Sequence, residues 1–164
     1  MEYLHVSHGF GPVYDKNSRV LILGSFPSVK SREENFYYGH AQNRFWPLMT
    51  RLLDAPLPQS VEEKRTLLLG HGIALWDVIE ECDILGSADS SIKNAVPTDI
   101  RRILDAADIQ GIFCNGALAH KLYMRELFPV SGIEAVKLPS TSPANAAFSM
   151  ERLYSQWRQI LDCL

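Results

Sequence analysis

No apolar run in this chain approaches the roughly 20 residues that a bilayer-spanning helix requires. The segment from Met1 to Tyr14 mixes His, Glu and Gly with few consecutive apolar side chains, unlike the core of a secretory signal. A soluble, cytoplasmic protein is the expectation. Cysteine is scarce: Cys82, Cys114 and Cys163 lie far apart, are odd in number and form no CxxC. Neither a disulfide framework nor a structural zinc site is supported, and the three read as small apolar residues. His5, His8, His40, His71 and His120 show no metal-ligand spacing. Positive charge is not in excess either, since the net charge is −3. That excludes coating nucleic acid by bulk electrostatics, but a local basic rim is still allowed. Lys30, Arg32, Arg44 and Lys137 are its candidates, although scattered surface cations need no special role.

Several chemistries are also missing. There is no GxxxxGK[ST] phosphate loop, and no GxGxxG follows the first strand. A Gly-x-Ser-x-Gly elbow is absent, which weakens a serine-hydrolase reading. The expected chemistry uses no metal, no cofactor and no covalent nucleophile.

What is present is a chain of 164 residues, 46% apolar, enough for one compact domain spanning 1–164. Arg19 to Leu23 (RVLIL) is a short apolar run ending at glycine, the signature of a strand buried on both faces. Phe45 to Leu53 and Val61 to Leu69 carry apolar residues at helical spacing. Ile73 to Val78 reads as a second strand. Pro97-Thr98-Asp99 opens a helix reaching about Ala107, with proline suited to its first turn. Ile109 to Cys114 is a third strand, a helix follows through Phe128, and Ile133 to Leu138 is the last strand. Met150 to Leu164 closes the chain as an amphipathic helix, with Leu153, Tyr154, Trp157, Ile160 and Leu161 on one face. Strands alternating with helices specify a three-layer αβα sandwich around a short parallel sheet.

In such sheets ligands sit outside the carboxyl ends of the strands. Four segments leave those ends: Gly24-Ser25-Phe26-Pro27-Ser28, Trp76-Asp77, Asn115-Gly116 and residues 138–145 (LPSTSPAN). Between the first strand and the next helix lies residues 37–46, YYGHAQNRFW, with two tyrosines, a histidine, two amides and an arginine. Aromatic faces beside fixed amides suit a flat, hydrogen-bonding heterocycle. Each segment also has a plainer reading: prolines stopping strands, glycines serving turns, and Asn115-Gly116 as an ordinary turn dipeptide.

These segments, taken in order, resemble the uracil-DNA glycosylase superfamily, and within it the hypoxanthine-DNA glycosylase branch. The carrying residues are GSFPS at 24–28, FYYGHAQNRFW at 36–46, GIALWDV at 72–78, DSSI at 89–92, FCNG at 113–116 and LPSTSPAN at 138–145. The resemblance implies the same αβα sandwich, with double-stranded DNA carrying a deaminated base as substrate; a monomer is the expectation. Uracil-removing members carry an Asp or Asn where this chain has Phe26, and often His or Asn where it has Leu138. Both departures resemble the hypoxanthine branch, whose catalytic amide lies elsewhere and matches Asn43.

The resemblance makes Asn43 the catalytic candidate, orienting water instead of deprotonating it, because an amide is too weakly basic to take a full proton. Asn43 can equally cap the helix beginning at Arg44. Tyr38 matches the base-stacking aromatic, with a pure core role as the alternative. Gly24, Ser25 and Phe26, with the Asn115 amide, are placed to read the base edge. Ser28, Ser140, Thr141, Ser142 and Pro143 are placed toward the DNA backbone, Ser142 and Pro143 in the wedge region. Asp89-Ser90-Ser91 either approaches the pocket or caps a helix, the latter preferred. No lysine stands in these loops as a Schiff-base former, so lyase activity is not expected. The implied activity is monofunctional release of hypoxanthine from deoxyinosine. A uracil or broader deaminated-base glycosylase is the nearest alternative, and a catalytically silent nucleic-acid- or purine-binding protein is the alternative of another class.

Overall fold

The computed structural model describes residues 2–164. Its strands are β1 (Leu4–Ser7), β2 (Val20–Gly24), β3 (Ile73–Asp77), β4 (Ile79–Ile84), β5 (Lys93–Pro97), β6 (Gly111–Asn115) and β7 (Ala135–Leu138). Four of them form a parallel sheet in the order β3-β2-β6-β7. At its centre Val20 lies opposite Ile73 on one side and Gly111 on the other. Every residue of β2 and β3 is buried, which is why both read as apolar runs without alternation.

The helices are α1 (Val29–Glu34), α2 (Phe45–Leu53), α3 (Val61–Gly70), α4 (Arg101–Leu104), α5 (Ala117–Leu122), α6 (Phe128–Ser131) and α7 (Met150–Trp157). They flank the sheet, and the expected αβα sandwich stands. Local chemistry sets several of their ends. Ser60 accepts from Glu63 N at 3.1 Å while its own hydroxyl meets the Glu63 carboxylate at 3.2 Å, a capping pair that starts α3. Ser149 starts α7 in the same manner by accepting from Arg152 N. Beneath α7 and α2, Phe45, Trp157 and Leu153 are buried in the core. No helix among the described residues is long and apolar enough to cross a membrane.

A second sheet was not anticipated. β4 pairs antiparallel with β1 and with β5 in the order β1-β4-β5. Two consequences correct the sequence reading. Pro97 does not open a helix. It ends β5 opposite Ile79, and α4 begins only at Arg101. β5 is an edge strand, where a proline's missing N–H costs no ladder bond. The second consequence is that the chain after β1 stays tied to β4, where His8 N donates to Glu80 O at 2.8 Å, before Val13 reaches the main sheet by exchanging hydrogen bonds with Leu75 at 2.9 and 2.8 Å.

The three thiols keep their plain role. Cys82 and Cys114 are buried, and burial pushes them up to about 11 and about 12.

Candidate functional site

The chain runs from β2 to β3 on one side of the sheet and later to β6 on the other, so strand order reverses beside β2. A cavity of about 550 Å³ opens there, at the carboxyl ends of all four parallel strands. Its walls come from Gly24 to Ser28, from Tyr37, Tyr38, His40 and Asn43, from Asp77, from Ser87 to Ser90, from Asn115, and from Ser140 to Ala144. The separate loops of the sequence therefore meet in one space.

Three side chains form a continuous relay along one wall. Asn115 Nδ2 donates to Thr141 Oγ1 at 3.0 Å, and Thr141 Oγ1 donates to Asn43 Oδ1 at 2.8 Å. Asn43 Oδ1 also accepts from Phe45 N at 2.9 Å. A backbone N–H can only donate, so this contact fixes which end of the Asn43 amide is oxygen. Both lone pairs of that oxygen are thus committed inside the protein. Asn43 Nδ2 makes no hydrogen bond among the described residues, so its two N–H donors are what it offers the cavity. α2 begins at Phe45 with Arg44 as its N-cap, so Asn43 stands one residue ahead of the cap; its oxygen holds the first N–H of the helix while Nδ2 stays a free donor.

The loop from Pro139 to Phe148 has no regular structure but is heavily tied. Arg44 reaches the carbonyl of Phe148 with one guanidinium nitrogen, and those of Ser142 and Asn145 with the other at 3.1 and 3.0 Å. Its own N–H donates to Thr141 O at 3.1 Å. Trp157 Nε1 donates to Pro139 O at 2.9 Å, and Asn145 Nδ2 donates to Ser140 O at 3.0 Å. Arg44 is therefore a clasp inside the protein and no part of a basic rim. Arg32 is likewise turned inward, onto Gly86 O at 2.6 Å. Lys30 pairs with Glu34, and Lys137 borders a second hollow next to the first.

At the floor lies a pair of buried groups. His8 Nε2 meets Asp77 Oδ2 at 2.8 Å, and His8 Nδ1 meets Phe10 O at 2.5 Å. Burial alone would lower the His8 pKa. The hydrogen bond and charge of Asp77, then the Phe10 carbonyl and Glu80, outweigh it and leave His8 above its ordinary value. Next to Asp77 is Tyr38, whose ring stacks on Phe45 with centroids 4.2 Å apart. Its backbone is left-handed (φ 54°), a conformation that non-glycine residues adopt rarely and that clusters at functional sites. Burial and the neighbouring Asp77 carboxylate raise its phenol.

The residues singled out from sequence fall into two groups. Gly24, Ser25, Phe26, Ser28, Tyr38, Asn43, Asn115, Ser140, Thr141, Ser142 and Pro143 all line the one cavity. Several of them are already engaged. Asn115 Oδ1 accepts from Thr141 N at 3.0 Å, which takes one of its two lone pairs. Thr141 is 0% exposed and acts from beneath the surface. Ser28 caps α1, accepting from Ser31 N at 3.2 Å. Asp89 does not cap the short turn at 89–91. It accepts from Ser25 Oγ at 3.1 Å at the cavity mouth.

Sequence reasoning missed His8, considered only as a metal ligand, and left Asp77 as a strand end. Nothing local marks them, since they are 69 residues apart. Among the described residues no group of three or more His, Cys, Asp or Glu could hold a metal ion.

A parallel sheet with a loop-built cavity at its switch point and an amide clamped at the rim places the chain in a defined class. Residues 12–161 match the family model of the Uracil DNA glycosylase superfamily, and the chain belongs to that superfamily. Among characterised relatives it is similar to the hypoxanthine DNA glycosylase of Methanosarcina acetivorans, 34% identical over 157 residues, covering 94% of this chain and 98% of that protein. It is 32% identical to the hypoxanthine DNA glycosylase of Methanosarcina barkeri over 154 residues, covering 92% and 95%. Among solved structures it resembles the solution NMR structure of a Methanosarcina acetivorans protein described as a candidate uracil DNA glycosylase. The TM-score is 0.79 at 31% identity, covering 96% and 99% of the two chains.

Proposed function

We propose that this protein is a monofunctional DNA glycosylase that releases hypoxanthine from deoxyinosine in duplex DNA, acting as a monomer. The observation that carries the proposal is the Asn43 amide, locked by two internal hydrogen bonds with its Nδ2 free beside an aromatic-lined cavity of about 550 Å³. Near-full-length similarity to two proteins named hypoxanthine DNA glycosylases supports the choice of base.

A base inside a duplex is out of reach, so it must swing into the cavity at a cost of roughly a few kcal/mol in lost stacking and pairing. Stacking on an aromatic face returns about 1–3 kcal/mol of that, and Tyr38 is the aromatic at the wall. The preorganised Ser140 to Pro143 turn then lies against the DNA backbone, with the Ser140 hydroxyl suited to a phosphate. The C1′–N9 bond breaks early. Its electron pair leaves with the purine, and an oxocarbenium-like sugar remains, as in glycoside hydrolysis generally. Asn43 Nδ2 holds the oxygen of a water molecule, which keeps a lone pair for C1′; the water's proton goes to the departing purine. Catalysis is then positioning and electrostatics, for which a weakly basic amide suffices.

The test uses duplexes with a single inosine, uracil or xanthine, in the presence of a chelator, followed by alkaline cleavage of abasic sites. Release from inosine at the fastest rate is expected. Release mainly from uracil selects the broader glycosylase, and tight, salt-sensitive binding without cleavage selects a silent binder. Asn43→Ala is expected to lower the single-turnover rate by about 10²-fold or more, the scale of losing one oriented polar group. A folded variant with a near-normal rate would reduce Asn43 to a helix cap.

A further inference from the structure

At the floor of the cavity stands Asp77, backed by His8, two buried ionisable groups that the chemistry above does not use. Asp77 ends β3 and His8 follows β1, and their side chains are only 4% and 2% exposed. His8 Nδ1 faces the Phe10 carbonyl, which can only accept, so that nitrogen carries a proton. His8 Nε2 faces Asp77 Oδ2, a second acceptor. An imidazolium donating in both directions satisfies both contacts, and Asp77 is then a carboxylate.

The other carboxylate oxygen, Asp77 Oδ1, takes no hydrogen bond among the described residues, and Asp77 lines the cavity. A Cβ built on Gly24 would stand 2.5 Å from this oxygen and 2.9 Å from the Tyr38 hydroxyl, so only glycine leaves the space open. The Tyr38 hydroxyl is itself buried without a partner. A buried phenol oxygen with no partner, beside a carboxylate group that lines the cavity, is costly unless something from outside the protein completes it.

A carboxylate oxygen accepts and never donates. Deamination of adenine changes the base at the matching place: N1, a bare acceptor, becomes N1–H, and the 6-amino group becomes a carbonyl. We propose that Asp77 is a specificity-determining residue whose Oδ1 accepts the N1–H of a flipped 6-oxopurine, with His8 as the residue that positions it. The proposal rests on the reading of the cavity as a base pocket. Adenine would set its N1 lone pair against the carboxylate and be repelled. The positive charge of His8 behind the carboxylate balances it, so the departing purine does not face a net negative wall.

The test compares duplexes carrying 2′-deoxyinosine with duplexes carrying 2′-deoxynebularine, the same purine ring without N1–H or the 6-oxo group. Single-turnover rates are divided by the uncatalysed depurination rate of each duplex. Wild-type enzyme should favour inosine, and Asp77→Asn should shrink that preference by about 10-fold or more, the scale of a hydrogen bond to a charged group. His8→Asn should move the ratio in the same direction by a smaller factor. Equal normalised rates for the wild type on the two substrates would overturn the proposal without needing any variant to fold. So would Asp77→Asn slowing both substrates by one factor. If the wild type releases nothing from inosine, the base-pocket reading itself fails and this inference falls with it.

Discussion

Thr141→Val is the sharpest perturbation of the relay, because it removes one hydroxyl and keeps the side chain's shape. The lost oxygen accepts from Asn115 Nδ2 at 3.0 Å and donates to Asn43 Oδ1 at 2.8 Å, in a residue with no exposed surface. One N–H of Asn115 is stranded and one lone pair of Asn43 is freed, at a combined cost of about 1–3 kcal/mol. The path of the loop survives, since Thr141 N still donates to Asn115 Oδ1 and Arg44 N to Thr141 O. What changes is Asn43, held now by Phe45 N alone. A shift of about 1 Å in a reacting group costs up to about 10²-fold, so the single-turnover rate on deoxyinosine should fall between about 10- and 100-fold. Urea denaturation gives the stability change and abasic-site formation the rate. Thr141→Ser, which restores the hydroxyl, should recover most of both. If Thr141→Val matches the wild type in rate while its stability falls as expected, the relay does not position Asn43 and the reasoning is wrong.

Arg44→Lys should destabilise the protein by about 1–2 kcal/mol in urea, because an ammonium cannot reproduce the guanidinium fork onto Phe148, Ser142 and Asn145; an unchanged midpoint would show that the clasp is idle. Gly24→Ala should cut hypoxanthine release by about 10²-fold or more, since its Cβ would stand 2.5 Å from Asp77 Oδ1. A folded, fully active variant would show that this wall yields. For pH, the raised His8 pKa means that its contribution to stability is complete below the unfolded value of 6.5 and is lost as pH climbs through the folded value. Denaturation midpoints should therefore fall from pH 6 toward alkaline pH more steeply in the wild type than in His8→Asn. Parallel curves would contradict the pairing with Asp77.

Much of the fold was legible because parallel strands buried on both faces leave continuous apolar runs, as β2 and β3 do. The antiparallel sheet was not. β1 has four residues with an exposed pattern, and β4 mixes Glu81 and Asp83 among its apolar positions. What makes them strands is pairing across the chain, Leu4 with Ile84, and no local period records that. Pro97-Thr98-Asp99 misled because a proline with helix-start chemistry serves an edge strand equally well. The loops of the site were legible as a group, because topology sends every strand's carboxyl end to one place. Individual roles were not, because Thr141 and Ser28 look like surface hydroxyls in sequence and become a buried relay and a helix cap only through their partners. Arg44, in sequence one candidate for a basic rim or a plain surface cation, likewise becomes an internal clasp only through its partners.

The first strand has a practical consequence. β1 is exposed, short and paired on one side only, yet it carries His8 to its place behind Asp77, which lines the cavity. A short, exposed strand of this kind frays more easily than the core. A fusion partner joined just ahead of Leu4, or the removal of eight residues, therefore acts on the pocket as directly as a point substitution inside it. Preparations differing only at that end should differ in which base they release before they differ in how they melt.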